Sequence, residues 1–264
     1  MTATAMVNNS QLQSLLARCW NENNKIQNNP GDPLHPIVVP GSIPVLWFGD
    51  LEAYSASPKR VVTVGINPSR KEFGALSEKV FTPAPTLRFP LPLSPAVPDF
   101  KDYVKAMGAY YRTNPLKSWF WPNEAALNAC GATYGGAMTS SLGAGATSTG
   151  LHIDVKAPLA TNQWGKLLPG EQDELSRRFG GLFYELVQAL DPEVLIIPVK
   201  LSVYLPSFKG TVLSTSTVSL SKGDRHVVKY EGVLCGKKRT LIEGWNGTTP
   251  FPFADKGAIF DLVK

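Results

Sequence analysis

RVVTVGINPSRKEF, residues Arg60 to Phe73, runs four β-branched side chains into a Gly-Ile-Asn-Pro-Ser turn followed by Arg70, Lys71, Glu72 and Phe73. Four such residues in succession suit a strand buried on both faces, the pattern of a parallel sheet. Proline at 68 stiffens the turn and restricts Asn67 before it. The stretch therefore predicts a central strand whose carboxyl end carries a rigid polar loop, where open α/β sheets bind ligands.

The flanking segments fit that frame. IPVLWFGD (43–50), LHIDVKAP (151–158), EVLIIPV (193–199) and two runs within RHVVKYEGVLCGKKRTLIEGWNG (225–247) read as further strands. Helical spacing marks SQLQSLLARCW (10–20) with Ser10 as N-cap, DFKDYVKAMGAYYRTNP (99–115), PNEAALNACG (122–131) after the aromatic joint Trp119 to Trp121, PGEQDELSRRFGGLFYELVQALDP (169–192) as one amphipathic helix, a tail over KLSVYLPSF (200–208), and FADKGAIFDLVK (253–264). FTPAPTLRFPLPLSPAVPDF (81–100) is too rich in proline for helix or central strand and is expected as an extended loop. GATYGGAMTSSLGAGATSTG (131–150) is either a floppy insertion or a loop lining a roomy site.

The expected fold is a single three-layer α/β/α domain with a mainly parallel central sheet, residues 44–264, with residues 1–43 as an N-terminal helix and irregular segment packed on its core. A formal charge of +5 over 264 residues suits either a polyanionic partner or a mildly basic soluble protein. Cys19, Cys130 and Cys235 lie far apart, so no four-thiolate metal site and no disulfide framework is expected, and a cytoplasmic location fits. No run approaches the roughly 18 apolar residues of a membrane span. The expectation is a soluble monomer without cofactor or metal.

Three polar strand ends stand out: Asn67, Asp154 in LHIDV, and GWNGTTPF (244–251). In order and spacing they resemble the uracil-DNA glycosylase superfamily. GINPS resembles the first motif of its mismatch-specific branch, while NPLKSWF (114–120), HIDVKAPLATNQWGKL (152–167) and the closing turn resemble a divergent bacterial group of uracil-glycosylase-like proteins, extending the likeness over roughly residues 45 to 250. The resemblance implies a monofunctional DNA glycosylase that flips a base, hydrolyses its N-glycosidic bond and leaves an abasic site.

The residues can be assigned chemistry within that resemblance. Asn67 holds the attacking water or merely caps its turn. An Asn deprotonates water poorly, so Glu72, Glu243 and Asp50 are candidates to help, with Asn67, Asp154 and Glu243 as the expected catalytic set. Uracil-specific members carry Asn where Asp154 stands. A carboxylate only accepts hydrogen bonds, which favours the amino group of cytosine or a bulky phage-type modified cytosine over uracil, and hence an antiviral rather than a repair role. His152, two residues earlier on the same face, either contacts the base or pairs structurally with Asp154. Ile66, Phe81 and Asn246 complete the expected base site, with Phe73 and Phe89 as alternatives to Phe81 for stacking. Ser69, Arg70, Lys71, Trp245, Thr248, Lys237 and Lys238 are the expected DNA contacts, within a basic group that includes Lys222, Arg225, Lys229 and Arg239. A non-catalytic DNA- or protein-binding module on the same scaffold is the alternative.

Overall fold

The structure is a computed structural model that describes residues 7–74, 81–138, 147–197, 205, 208–220 and 223–245. It is an α/β protein with a six-stranded mixed sheet, an arrangement compatible with a three-layer α/β/α domain. The strands are β1 (Val61–Gly65), β2 (Gly150–Asp154), β3 (Val194–Ile197), β4 (Lys209–Leu220), β5 (Gly223–Leu234) and β6 (Lys237–Trp245), in spatial order β2-β1-β3-β6-β5-β4. The first four of that order are mutually parallel, and β5 and β4 add an antiparallel edge. Every residue of β1, β2 and β3 is buried, so both faces of the sheet's centre are covered.

The antiparallel edge follows from the Cys235-Gly236 link between β5 and β6. Both residues have positive φ, 54° and 74°, the backbone that turns a strand tightly back on itself. Strands β5 and β4 then run three residues past the last β5–β6 pair, His226 with Trp245. The β4–β5 arm thus projects roughly 10 Å beyond the carboxyl ends of the parallel strands.

The helices are α1 (Asn9–Gln27), α2 (Leu51–Ser55), α3 (Phe100–Thr113), α4 (Lys117–Ala129), α5 (Pro169–Phe179) and α6 (Leu182–Leu190). Helix α1 buries Leu12, Leu16, Cys19 and Trp20 in the main core. Its N-cap is Asn8, whose side chain accepts from the Gln11 amide, with Ser10 donating to Asn8 instead of capping. Among the described residues no helix is long and apolar enough to cross a membrane.

Three expectations need correction. Residues 43–50 form no strand of the sheet; only Phe48 bridges His152, because Asp50 already caps α2. Trp119 to Trp121 are not a joint but early turns of α4, which contains Pro122 within it. The long 169–192 helix is two helices broken at Gly180-Gly181, where paired glycines make helix continuation costly. The mixed character of the sheet comes from its edge, where β5 pairs antiparallel with β6 and with β4. Segment 81–99 is free of helix and strand, as its prolines require, whereas 253–264 and most of 200–208 and 139–150 fall outside the described residues.

Candidate functional site

Strand β1 ends at Gly65, and the GINPS loop leaves from there. Residues Ile66 to Ser69 run beside the loop that follows β2, and the two are joined by backbone hydrogen bonds. Val155 donates to Gly65, Lys156 to Ile66, Thr161 to Pro68 and Arg70 to Thr161, at 2.7 to 3.2 Å. Asn67 completes the seam. Its amide nitrogen donates to Thr161 Oγ1 at 2.9 Å and to the Pro68 carbonyl at 3.1 Å. With both donor directions used inward, Oδ1 is left as an acceptor that meets no donor among the described residues.

Registration of β1 with β2 pairs Thr63 with His152 and Gly65 with Asp154. Those four therefore share one sheet face, which α3, α4 and Phe48 cover with rings: Phe48, Tyr110 and Phe120 pack together, and the His152 ring lies edge-on to Phe48 and Phe120. His152 is 1% exposed. Its Nδ1 meets Thr63 Oγ1 at 2.8 Å, and Thr63 in turn bonds the Tyr134 hydroxyl. On its other side Nε2 stands 3.5 Å from Asp154 Oδ1, an electrostatic contact longer than a full hydrogen bond. His152 is thus held by protein groups on both nitrogens and acts toward Asp154 as a support.

Asp154 is 7% exposed, and its Oδ2 is buried without a partner among the described residues. Leaving such an oxygen unpaired costs on the order of 1–3 kcal/mol or more, so it marks a place where a ligand or water is wanted. Gly65 makes room for it: a Cβ there would lie 2.6 Å from His152 Nε2 and closer still to Asp154 Oδ1.

A second carboxyl completes the floor. The turn after the GINPS loop, a short 3-10 helix over Arg70–Phe73 capped by Ser69, carries Glu72 inward. Glu72 is 2% exposed and receives the Tyr110 hydroxyl at 2.7 Å on Oε2. Burial pushes Tyr110 well above its usual range, which keeps it a donor. Burial also pushes the Glu72 carboxyl up to about 8; the Tyr110 bond and the Arg88 charge oppose this, and the nearby Asp154 carboxylate adds to it. Glu72 is therefore predominantly protonated at neutral pH. Arg88, 1% exposed, clamps the turn, its Nη1 donating to the carbonyls of Lys71, Glu72 and Gly74.

The other expected residues distribute unevenly. Phe81 is half-buried under the Arg70 guanidinium, 3.9 Å from ring centroid to carbon, and Arg70 also donates to Asn162, so both flank the loop. Phe73 and Phe89 stack on one another in the core. Ile66 and Ser69 lie half-buried on the rim, and Lys71 is exposed beside them. Asp50 caps α2 and pairs with Arg112.

Glu243 stands apart from Asp154. It is level with Ile197 on β3, one residue past Ile196, the partner of Thr63, so it faces the opposite side of the sheet from Asp154. Three strand spacings, roughly 14 Å, separate them besides, and the Tyr230 hydroxyl donates to Glu243 at 2.9 Å. Lys237 and Lys238 stand at the start of β6, roughly 20 Å from the carboxyl edge. They pair with Asp191 at 3.0 Å and Glu231 at 2.7 Å, while Arg239 is buried on Asp191. Lys229, level with Ile242, lies toward the carboxyl edge, and the backbone of Arg225 lies on the projecting arm. Asn246, Thr248, Thr249 and Lys222 fall outside the described residues, and Trp245 is described only as the end of β6.

A hollow of about 550 Å³ between α1 and α5, lined by Glu22, Lys25, Asp32, Arg177 and Arg178, is electrostatically satisfied from within: Arg178 bonds Glu22, Asp32 and Glu174. The unmet acceptors, Asn67 Oδ1 and Asp154 Oδ2, lie instead at the carboxyl edge. Compared with known proteins, the chain matches no family model, no curated protein and no solved structure.

Proposed function

We propose that the chain is a cytosolic, monomeric DNA glycosylase of the uracil-DNA glycosylase type, acting without a cofactor on a flipped base of cytosine type, including bulky phage-type modified cytosines. The observation that carries this reading is the Asn67 carboxamide, pinned through its nitrogen by Thr161 and Pro68 so that Oδ1 alone faces outward as an acceptor. Such a group holds a water in place and cannot take its proton. Hydrolysis then runs through an oxocarbenium-like sugar: the bond from C1′ to the base breaks with its electron pair going to the base, water oxygen bonds C1′, and a water proton passes to the departing base or to solvent. Asn67 supplies orientation, and the rate rests on how readily the base leaves.

The experiment is incubation with duplexes carrying uracil, a thymine mismatch or a modified cytosine, followed by alkali to break abasic sites. Strand breaks that fall by about 100-fold or more in Asn67→Ala support the enzyme. Tight DNA binding with no break on any duplex favours the non-catalytic module instead.

A further inference from the structure

Two carboxyl oxygens at the floor of the site are unengaged, and they come from different elements. Tyr110 occupies Glu72 Oε2, so the proton of a neutral Glu72 carboxyl sits on Oε1, which has no partner among the described residues. Asp154 offers Oδ2, buried and unpaired, at the end of β2, while its Oδ1 faces His152. Burial first and the Asp154 charge last raise the Glu72 carboxyl, so the proton stays on Glu72. Burial among the rings of Phe73, Phe89 and Tyr110 disfavours charge on Glu72, while His152 Nε2 faces Asp154 Oδ1 at 3.5 Å. The result is one donor and one acceptor beneath the same aromatic cover, with Gly65 beside Asp154, where a Cβ would press on Asp154 Oδ1 and His152 Nε2.

We propose that Glu72 and Asp154 form one base-reading pair, Glu72 donating its proton to the ring N3 and Asp154 accepting from the exocyclic amino group of a cytosine-type base. Uracil presents the reverse order, a carbonyl at the exocyclic position and N–H in the ring, so it meets acceptor with acceptor and donor with donor. The pair rests on the glycosylase reading for the identity of its ligand as a flipped base. Groups facing Glu72 are Tyr110 from α3, Arg88 from the proline-rich segment, and Asp154 with His152 beside it from β2. Tyr110, pushed well above its usual range by burial, keeps its proton throughout the range below, which leaves the Glu72 proton as the one whose loss removes the donor.

The test is equilibrium binding of the full chain, carrying Asn67→Ala to prevent turnover, to two duplexes alike except for one base, 5-hydroxymethylcytosine or uracil. Their affinity ratio cancels the shared phosphate contacts. The ratio favours the cytosine duplex and falls about tenfold between about pH 7 and about pH 9 as Glu72 ionises. Glu72→Gln, which keeps a donor of the same shape, removes the pH dependence, and Asp154→Asn shifts the ratio toward uracil. Carbon-13 shifts of the glutamate carboxyls in the otherwise unaltered chain report the Glu72 proton if a variant melts early; a carboxyl near 8 that stays protonated when the cytosine duplex binds is expected. A ratio independent of pH, or an unchanged pH dependence in Glu72→Gln, overturns the pair. If that happens while modified cytosine is excised, the pair alone falls; if the ratio behaves as stated and no duplex is cut, the glycosylase reading alone falls.

Discussion

Glu72 is costly to the fold, and the sign of the cost can be measured. Its unfolded carboxyl ionises near the ordinary value of 4.5, whereas the folded one holds its proton up to about 8. The folded state is therefore favoured fully below about pH 4.5, and its stability falls as pH rises toward 8, by at most about 1.4 kcal/mol per pH unit. Glu72→Gln escapes this, so its melting temperature should exceed that of the parent at pH 8 and converge with it near pH 5 in thermal unfolding followed by circular dichroism. Gly65→Ala acts in the opposite sense: the added methyl must displace Asp154 and His152, costing about 1–3 kcal/mol and removing discrimination between bases. Of these residues the sequence displayed Asn67 and Asp154 as strand ends and Glu72 only as an acid near the loop. Its bond to Tyr110 and its nearness to the Asp154 charge depend on three segments, 70–73, α3 and β2, that only the folded chain brings together.

At the scale of elements, the proline-rich segment works as a brace. Arg88 leaves it to hold three carbonyls of the 70–74 turn, and its charge is otherwise sealed from water. Arg88→Met should cost about 3 kcal/mol in urea unfolding, since each orphaned buried acceptor costs on the order of 1–3 kcal/mol, and should loosen Glu72 as well. A comparable knot lies at the far end of the sheet, where Asp191, at the left-handed C-cap of α6, receives Arg239 and Lys237. Burial opposes its ionisation, but those two partners hold its carboxyl below the usual range. Asp191→Ala should cost about 3–5 kcal/mol by stranding the buried Arg239. The buried strands β1 and β3 were legible because fully covered strands read as unbroken apolar runs. The 43–50 run misled for the same reason, being buried without joining the sheet, and Gly180-Gly181 was passed over inside an otherwise continuous apolar period.

Across the whole molecule, charge near β4 to β6 divides by position. In sequence Lys229, Lys237, Lys238 and Arg239 form one basic group, yet strand direction sends Lys229 toward the carboxyl edge and leaves the others beside Asp191 and Glu231. Lys229→Ala should weaken duplex binding on all sequences alike and lower the slope of log affinity against log salt by about 1, whereas Lys238→Ala should leave that slope unchanged in fluorescence anisotropy titrations. The sequence reads as a hairpin here, but the charge division depends on its register, Lys229 level with Ile242 and Lys237 with Leu234, which charge spacing does not encode.

The seam between the GINPS loop and the loop after β2 bears on how such a site can change. Gly65, Ile66 and Pro68 accept from Val155, Lys156 and Thr161, and Asn67 is anchored on the same threonine. The groups proposed to hold water and to read the base therefore move as one body. Neither loop can be inherited, grafted or redesigned alone: a transplanted 66–73 segment without 154–162 would arrive with its asparagine unanchored, so in engineering as in evolution the two form a single heritable part.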